Sequence, residues 1–116
     1  MMRRGEIRIV NLDPALGSEA DKQRPAVIVS NNGANAAAER TGRGVLTVVP
    51  MTTNTVRVYP FQVLLPASQC GLRHDSKAQA EQVRAVAVSR VGRQVGALPP
   101  RLLTELDAAL LLHLGL

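Results

Sequence analysis

Arg24-Pro25-Ala26-Val27-Ile28-Val29-Ser30 constrains this chain more than any other stretch. Ala26 to Val29 are four apolar residues in a row, and three of them are β-branched. The run is too short for a helix and reads as a buried strand. Pro25 fits a strand only at its start, because it has no N–H to give a ladder. Arg24 therefore stands at the mouth of a rigid strand, at the end of a polar loop. A cation held there can face a ligand with little freedom to wander.

The rest of the chain falls into short elements around that strand. Gly5 to Leu12 alternates loosely and ends at the turn signal Asp13-Pro14, so it predicts a first strand. Leu16 to Gln23 is a polar loop. Asn31 to Arg43 mixes Asn, Gly and an alanine run and predicts a loop with one helical turn. Gly44 to Met51 is nearly continuous in apolar residues and predicts a buried third strand, with Pro50 marking an edge or a bulge. Thr52 to Thr55 is a polar turn. Val56-Arg57-Val58-Tyr59 and Phe61 to Leu65 predict one strand interrupted at Pro60, and Pro66 to Arg73 a loop. Ser76 to Ser89 reads as mostly extended, and Val91 to Val95 as one more short strand. Leu98-Pro99-Pro100 then opens a helix, with proline well placed in the first turn. Leu102, Leu103, Leu106, Ala109, Leu110 and His113 recur along it at helical spacing, and it ends at Gly115. Many short strands and one terminal helix make residues 1–116 a single domain, mainly β, a small barrel capped by a helix.

Composition narrows the function classes. Fourteen Lys+Arg stand against nine Asp+Glu, and twelve of the fourteen are Arg, whose planar fork suits phosphate. The one cysteine, Cys70, rules out an internal disulfide and fits a reducing cytoplasm. No signal peptide precedes the first strand, and no apolar run is long enough to span a membrane as a helix. Tyr59 and Phe61 are the only aromatics, so a nucleic-acid surface here is not expected to rest on a stacking platform. Tyr59-Pro60-Phe61 reads as core and bend. Two histidines and one cysteine are too few for a structural zinc site, and no metal or other cofactor is expected.

Five segments, in order and in register, now identify a family. They are Arg4-Gly5-Glu6-Ile7; Leu12-Asp13-Pro14 with Gly17-Ser18-Glu19; Arg24-Pro25-Ala26-Val27; Val48-Val49-Pro50-Met51-Thr52-Thr53; and Tyr59-Pro60-Phe61 with Gln82-Val83-Arg84. Over nearly its whole length the chain resembles the MazF/PemK/Kid toxin ribonucleases. The resemblance implies an SH3-like barrel, a homodimer, and metal-independent cleavage of single-stranded RNA at short sequences. It also implies a cognate MazE-like antitoxin that blocks the toxin. It assigns catalysis to Arg24 and Thr52, and RNA contacts to Ser18, Glu19, Lys22, Thr53, Asn54, Glu81 and Gln82. The chain departs from the family at Ile9, where an aromatic is frequent. It also has Gln79 and Glu81 where some members carry Arg and Asp, which shifts weight onto Arg24.

The chemistry fits these residue types. RNA carries its own nucleophile, the 2′-hydroxyl beside each phosphate, so the enzyme must align, stabilise charge and move protons. The Arg24 guanidinium matches a phosphate bidentately but is a poor general base. Thr52 can donate one hydrogen bond to a phosphate oxygen, and Glu19 and Glu81 are the carboxylates near the expected mouth, Glu19 suited to reading a base. His74 and Asp75 are adjacent and would point to opposite faces of a strand. The alternative reading is a CcdB-like toxin of the same fold that binds and poisons a protein such as gyrase. That reading leaves Arg24 and Thr52 unexplained, and the chain has no tryptophan at its helix end.

Overall fold

A computed structural model describes residues 1–12 and 23–116. The expected turn at Asp13-Pro14 and most of the expected loop, residues 16–22, lie outside them. The central pair is β2 (Gln23–Ile28) and β3 (Val45–Thr52), antiparallel, with Val27 opposite Val49 and Ile28 opposite Val48. β1 (Glu6–Asn11) lies on the other side of β2, and β7 (Val91–Ala97) lies beyond β1. The free side of β3 is shared by two strands. β6 (Arg84–Ala87) pairs with Val45 to Val48, and β5 (Ser76–Gln79) pairs with Met51 and Thr52. β4 (Gln62–Leu65) completes the order β4-β5-β3-β2-β1-β7. Among the described residues no ladder joins the two ends, so the seven-stranded sheet is not closed, and the mainly β fold with its C-terminal helix is consistent with the expected small barrel.

Both faces of β2 and β3 are buried. Val27, Val49 and Met51 join Ile7, Leu65, Leu102 and Leu106 in one core, which α3 (Pro100–Leu114) covers. Ala26, Ile28, Leu46 and Val48 join Val10 and Val86 in a second core on the opposite face, closed by Ala38 of α1 (Asn32–Thr41). The alternation of a strand sends successive residues to these two cores. Arg4 ties the layers together: its Nε donates to the Val29 carbonyl at 2.8 Å and its Nη2 pairs with Asp107 on α3 at 2.5 Å.

Several expectations are corrected. Asn31 to Arg43 holds a ten-residue helix, not a single turn. The Asn31 side chain caps it by accepting from the Ala34 N–H at 2.8 Å, alanines fill it, and Gly42 ends it in the left-handed region at φ 66°. Val56 to Tyr59 is not a strand, because nearby side chains capture its N–H groups. Val56 N–H donates to Asn54 Oδ1 at 3.3 Å and Tyr59 N–H to Gln62 Oε1 at 3.2 Å. Tyr59 is not core: it is 42 % exposed and stacks parallel on Phe61, ring centroids 5.4 Å apart. Pro66 to Arg73 contains the single turn α2 (Ala67–Cys70). Ser76 to Ser89 is two strands joined by a 3₁₀ turn over Ala80–Gln82, with a second 3₁₀ turn over Val88–Arg90. The break between β5 and β6 falls where their ladders with β3 lapse, at Val49 and Pro50, and Pro50 has no N–H to offer. α3 follows the expected stripe through Leu102, Leu106 and Ala109, but His113 is exposed.

Asn35 shows how α1 is held to the sheet. It is fully buried, its amide donates to the Ser30 carbonyl at 2.9 Å, and its Oδ1 accepts from the Ser30 hydroxyl. The Ser30 oxygen in turn accepts from the Thr47 N–H of β3 at 3.1 Å. Asn35→Ala should destabilise the fold by about 1–3 kcal/mol, since it strips both bonds inside the protein. Urea unfolding should show a lower midpoint at an unchanged slope.

Candidate active site

The free ends of β2 and β3 converge on one cleft. Continuing the register in which Ala26 faces Pro50 places Arg24 opposite Thr52. Arg24, Pro25, Met51, Thr52, Thr53 and Ser76 line a cleft of about 200 Å³. Pro25 and Met51 give it an apolar floor beside a cation and three hydroxyls. Rigidity comes from the two cores just behind it, where Ala26 and Val49 are fully buried.

Arg24 is exposed and, among the described residues, its side chain makes no hydrogen bond or ion pair. Arg8, in contrast, pairs with a carboxylate of the sheet: its Nε lies 2.9 Å from Glu6. The Thr52 oxygen accepts from the Asn54 N–H at 3.2 Å. That bond fixes the oxygen and leaves the hydroxyl proton as the group Thr52 can donate.

Two site residues were not legible in the sequence. Ser76 reaches the cleft only because β5 pairs alongside β3, and its hydroxyl donates to the His74 carbonyl at 3.2 Å. Lys77 faces Thr52 across that ladder and is buried. Its Nζ donates to the Arg57 carbonyl at 2.6 Å and lies 5.8 Å from the centre of the Tyr59 ring, so it pins the segment after Thr52. A lone lysine in the short strand Ser76-Lys77-Ala78-Gln79 carried no signal of this.

The other expected contact residues scatter. Thr53 lines the cleft, and Asn54 spends its side chain on the turn beside it. Glu81 is not in the cleft lining: its Oε2 accepts from Gln62 Nε2 at 2.7 Å, and its Oε1 is buried without a partner. Gln82 is exposed in the same 3₁₀ turn. Ser18, Glu19 and Lys22 lie outside the described residues. Cys70 is buried, and that burial pushes its thiol above the ordinary range, against a slight opposing pull from Arg101. His74 is exposed, and Asp75 is occupied as an acceptor for the Ala67 N–H at 2.8 Å. Among the described residues no three His, Cys, Asp or Glu side chains gather as a metal-binding group.

Residues 3–114 match the family described as PemK-like, MazF-like toxin of type II toxin–antitoxin system. The chain is 61 % identical to Endoribonuclease MazF9 of Mycobacterium tuberculosis over 116 residues, covering all of this chain and 98 % of that protein. A crystal structure of MazF from Deinococcus radiodurans superposes with a TM-score of 0.75 at 28 % identity, covering 99 % of this chain and 97 % of that one. A MazE–MazF complex from the same organism superposes with a TM-score of 0.73 at 27 % identity, with the same coverage.

Because the Arg24 side chain makes no hydrogen bond or ion pair among the described residues, Arg24→Ala should leave stability within about 0.5 kcal/mol of the wild type. Chemical denaturation of the two proteins side by side measures this. A large loss would mean that the guanidinium has a structural partner after all.

Proposed function

Since this chain belongs to the PemK-like, MazF-like toxins of type II toxin–antitoxin systems, we propose that it is a sequence-specific endoribonuclease cutting single-stranded RNA without a metal. The observation that carries the reading is an Arg24 guanidinium with no partner among the described residues, lining one cleft with a Thr52 hydroxyl whose oxygen is already held. Such a pair is arranged to receive an anion.

In this reading the RNA 2′-oxygen attacks the adjacent phosphorus and the bond to the 5′-oxygen breaks. The products are a 2′,3′-cyclic phosphate and a 5′-hydroxyl. The 2′-hydroxyl proton is lost and the leaving 5′-oxygen gains one. Arg24 binds the non-bridging oxygens as negative charge builds, and Thr52 donates one further hydrogen bond. The buried ammonium of Lys77 adds positive potential behind Thr52 and keeps the following segment in place. Glu19 and Lys22, with Ser18, Thr53, Asn54 and Gln82, are proposed to touch the RNA; Glu81, expected among them, is taken up by Gln62 outside the cleft. Which sequence is cut follows from the loops at residues 16–23 and 52–58.

The expected biology is that of an mRNA interferase: a cytoplasmic toxin that stops growth by blocking translation and is silenced by a MazE-like antitoxin. No helix of the described chain is long and apolar enough to cross a membrane. A homodimer is supported by the end of α3, where Leu111, Leu112 and Leu114 are each half exposed and Leu116 nearly fully so.

With excess EDTA, the purified protein should cut a long single-stranded RNA at a recurring short sequence. Arg24→Ala should lose about a hundred- to a thousandfold in rate, and Thr52→Ala about ten- to a hundredfold. Primer extension maps the ends. A folded wild type that cuts none of several RNAs would defeat the reading, and gyrase inhibition would then be assayed. Size-exclusion chromatography with light scattering should give twice the 12.4 kDa chain mass at micromolar concentration, and a monomer would remove the dimer.

A further inference from the structure

The chain has a second, larger cleft of about 560 Å³ that the reaction above does not use, a volume in the range of ligand sites. It forms beside an irregularity in the pairing of β7 with β1. Arg8 pairs with Gln94 and Val10 with Val91, so Gly92 and Arg93 share the place opposite Ile9. Gly92 allows the strands to approach there: a Cβ on it would lie 3.1 Å from the Ile9 carbonyl oxygen. A bulge of this kind re-aims the side chains around it. Here it sets Arg93 on the wall of the cleft, beside Arg90 from the preceding 3₁₀ turn.

The charge of this cleft, as its described residues make it, is positive. Among the described residues its lining holds two guanidinium groups and no carboxylate. Neighbouring Arg8 is already engaged, by Glu6 and by the Gly92 carbonyl at 3.0 Å. Arg90 is different: its Nη1 is shut off from solvent and has no hydrogen-bond partner. A buried donor on a cation is costly to leave unmatched. Arg90 lines the cleft beside the exposed Arg93, so an anion there would offset the charge of both.

Position identifies the anion. Gln23 lines this cleft and the next residue, Arg24, lines the smaller one. Successive strand residues face opposite ways, so the two clefts flank the same strand end. An RNA strand with its scissile phosphate on Arg24 has only to continue around that end to reach Arg90 and Arg93. We infer that the Arg90–Arg93 cleft is a second phosphodiester subsite, which grips the RNA away from the cut and sets its path. The inference rests on the ribonuclease reading. It requires no aromatic platform, because guanidinium forks hold the backbone and the Asn11 and Gln23 amides border it.

The test reads binding rather than cleavage. In an Arg24→Ala background, the affinity for a fluorescent single-stranded RNA spanning a mapped cut site is measured over a series of potassium chloride concentrations. Adding Arg90→Gln and Arg93→Gln should weaken binding by about tenfold at low salt. The slope of log affinity against log salt should fall by about 0.7 for each phosphate released. Unchanged affinity and slope would overturn the subsite. If Arg90→Gln disturbs the circular dichroism spectrum, the exposed Arg93→Gln alone serves, with the same two outcomes. Unchanged RNA binding together with lost capture of the antitoxin would also overturn it, assigning the cleft to an acidic protein segment. A wild type that cuts no RNA fails the ribonuclease reading; a wild type that cuts while these variants bind like their parent fails only the subsite.

Discussion

Everything in this fold leans on the antiparallel pairing of β2 with β3, because that pair is buried on both faces. Most half-buried sheets choose one face for the core. Here Val27 and Val49 serve one core and Ala26, Ile28 and Val48 serve the other. Each fully buried Val or Ile contributes about 1.5–3 kcal/mol. A one-residue slip would exchange the residues assigned to the two cores and break the match with α1 and α3 together. The register is therefore set twice over, and the residues at the open end of the pair inherit that definition.

This explains how a small domain can present a well-placed cation. Arg24 needs no ion pair to hold its backbone, since the next residues are locked by packing. Its guanidinium lines the open cleft. Arg4 and Arg8, in contrast, are spent on the fold, one clamping α3 through Asp107 and the other paired with Glu6. The arginine excess is thus divided between structural clamps and groups that face open clefts. Arg90, with a buried donor unmatched, belongs with the second class. A stabler protein would match or remove such groups, so their persistence fits the usual trade of stability for function.

Much of this was legible in the residues. The buried strand through Ala26 to Ile28, the apolar third strand and the terminal helix from Pro100 each carry a local signal that the structure repeats, although the second strand begins at Gln23 and Pro25 stands third in it, opposite Ile9, not at its start. The missed helix α1 had signals too, an Asn31 cap, an alanine-rich body and a Gly42 stop, which were outweighed by its Asn and Gly content. Val56 to Tyr59 was misread for another reason. Its β-branched residues favour a strand, but Asn54 and Gln62 offer side-chain acceptors that take its N–H groups out of any ladder.

By itself the sequence determined which segments are apolar, where proline and glycine punctuate them, and that arginine and threonine stand at the mouths of two strands. Those properties are local, carried by side-chain chemistry within a few residues. Only the tertiary structure decided that Ser76 and Lys77 join Thr52, that Glu81 turns to Gln62 rather than to the cleft, and that Arg90 and Arg93 meet at a bulge. Each depends on which strands lie side by side and in which register. Long-range pairing of that kind is set by the simultaneous packing of two cores, and no single segment contains it.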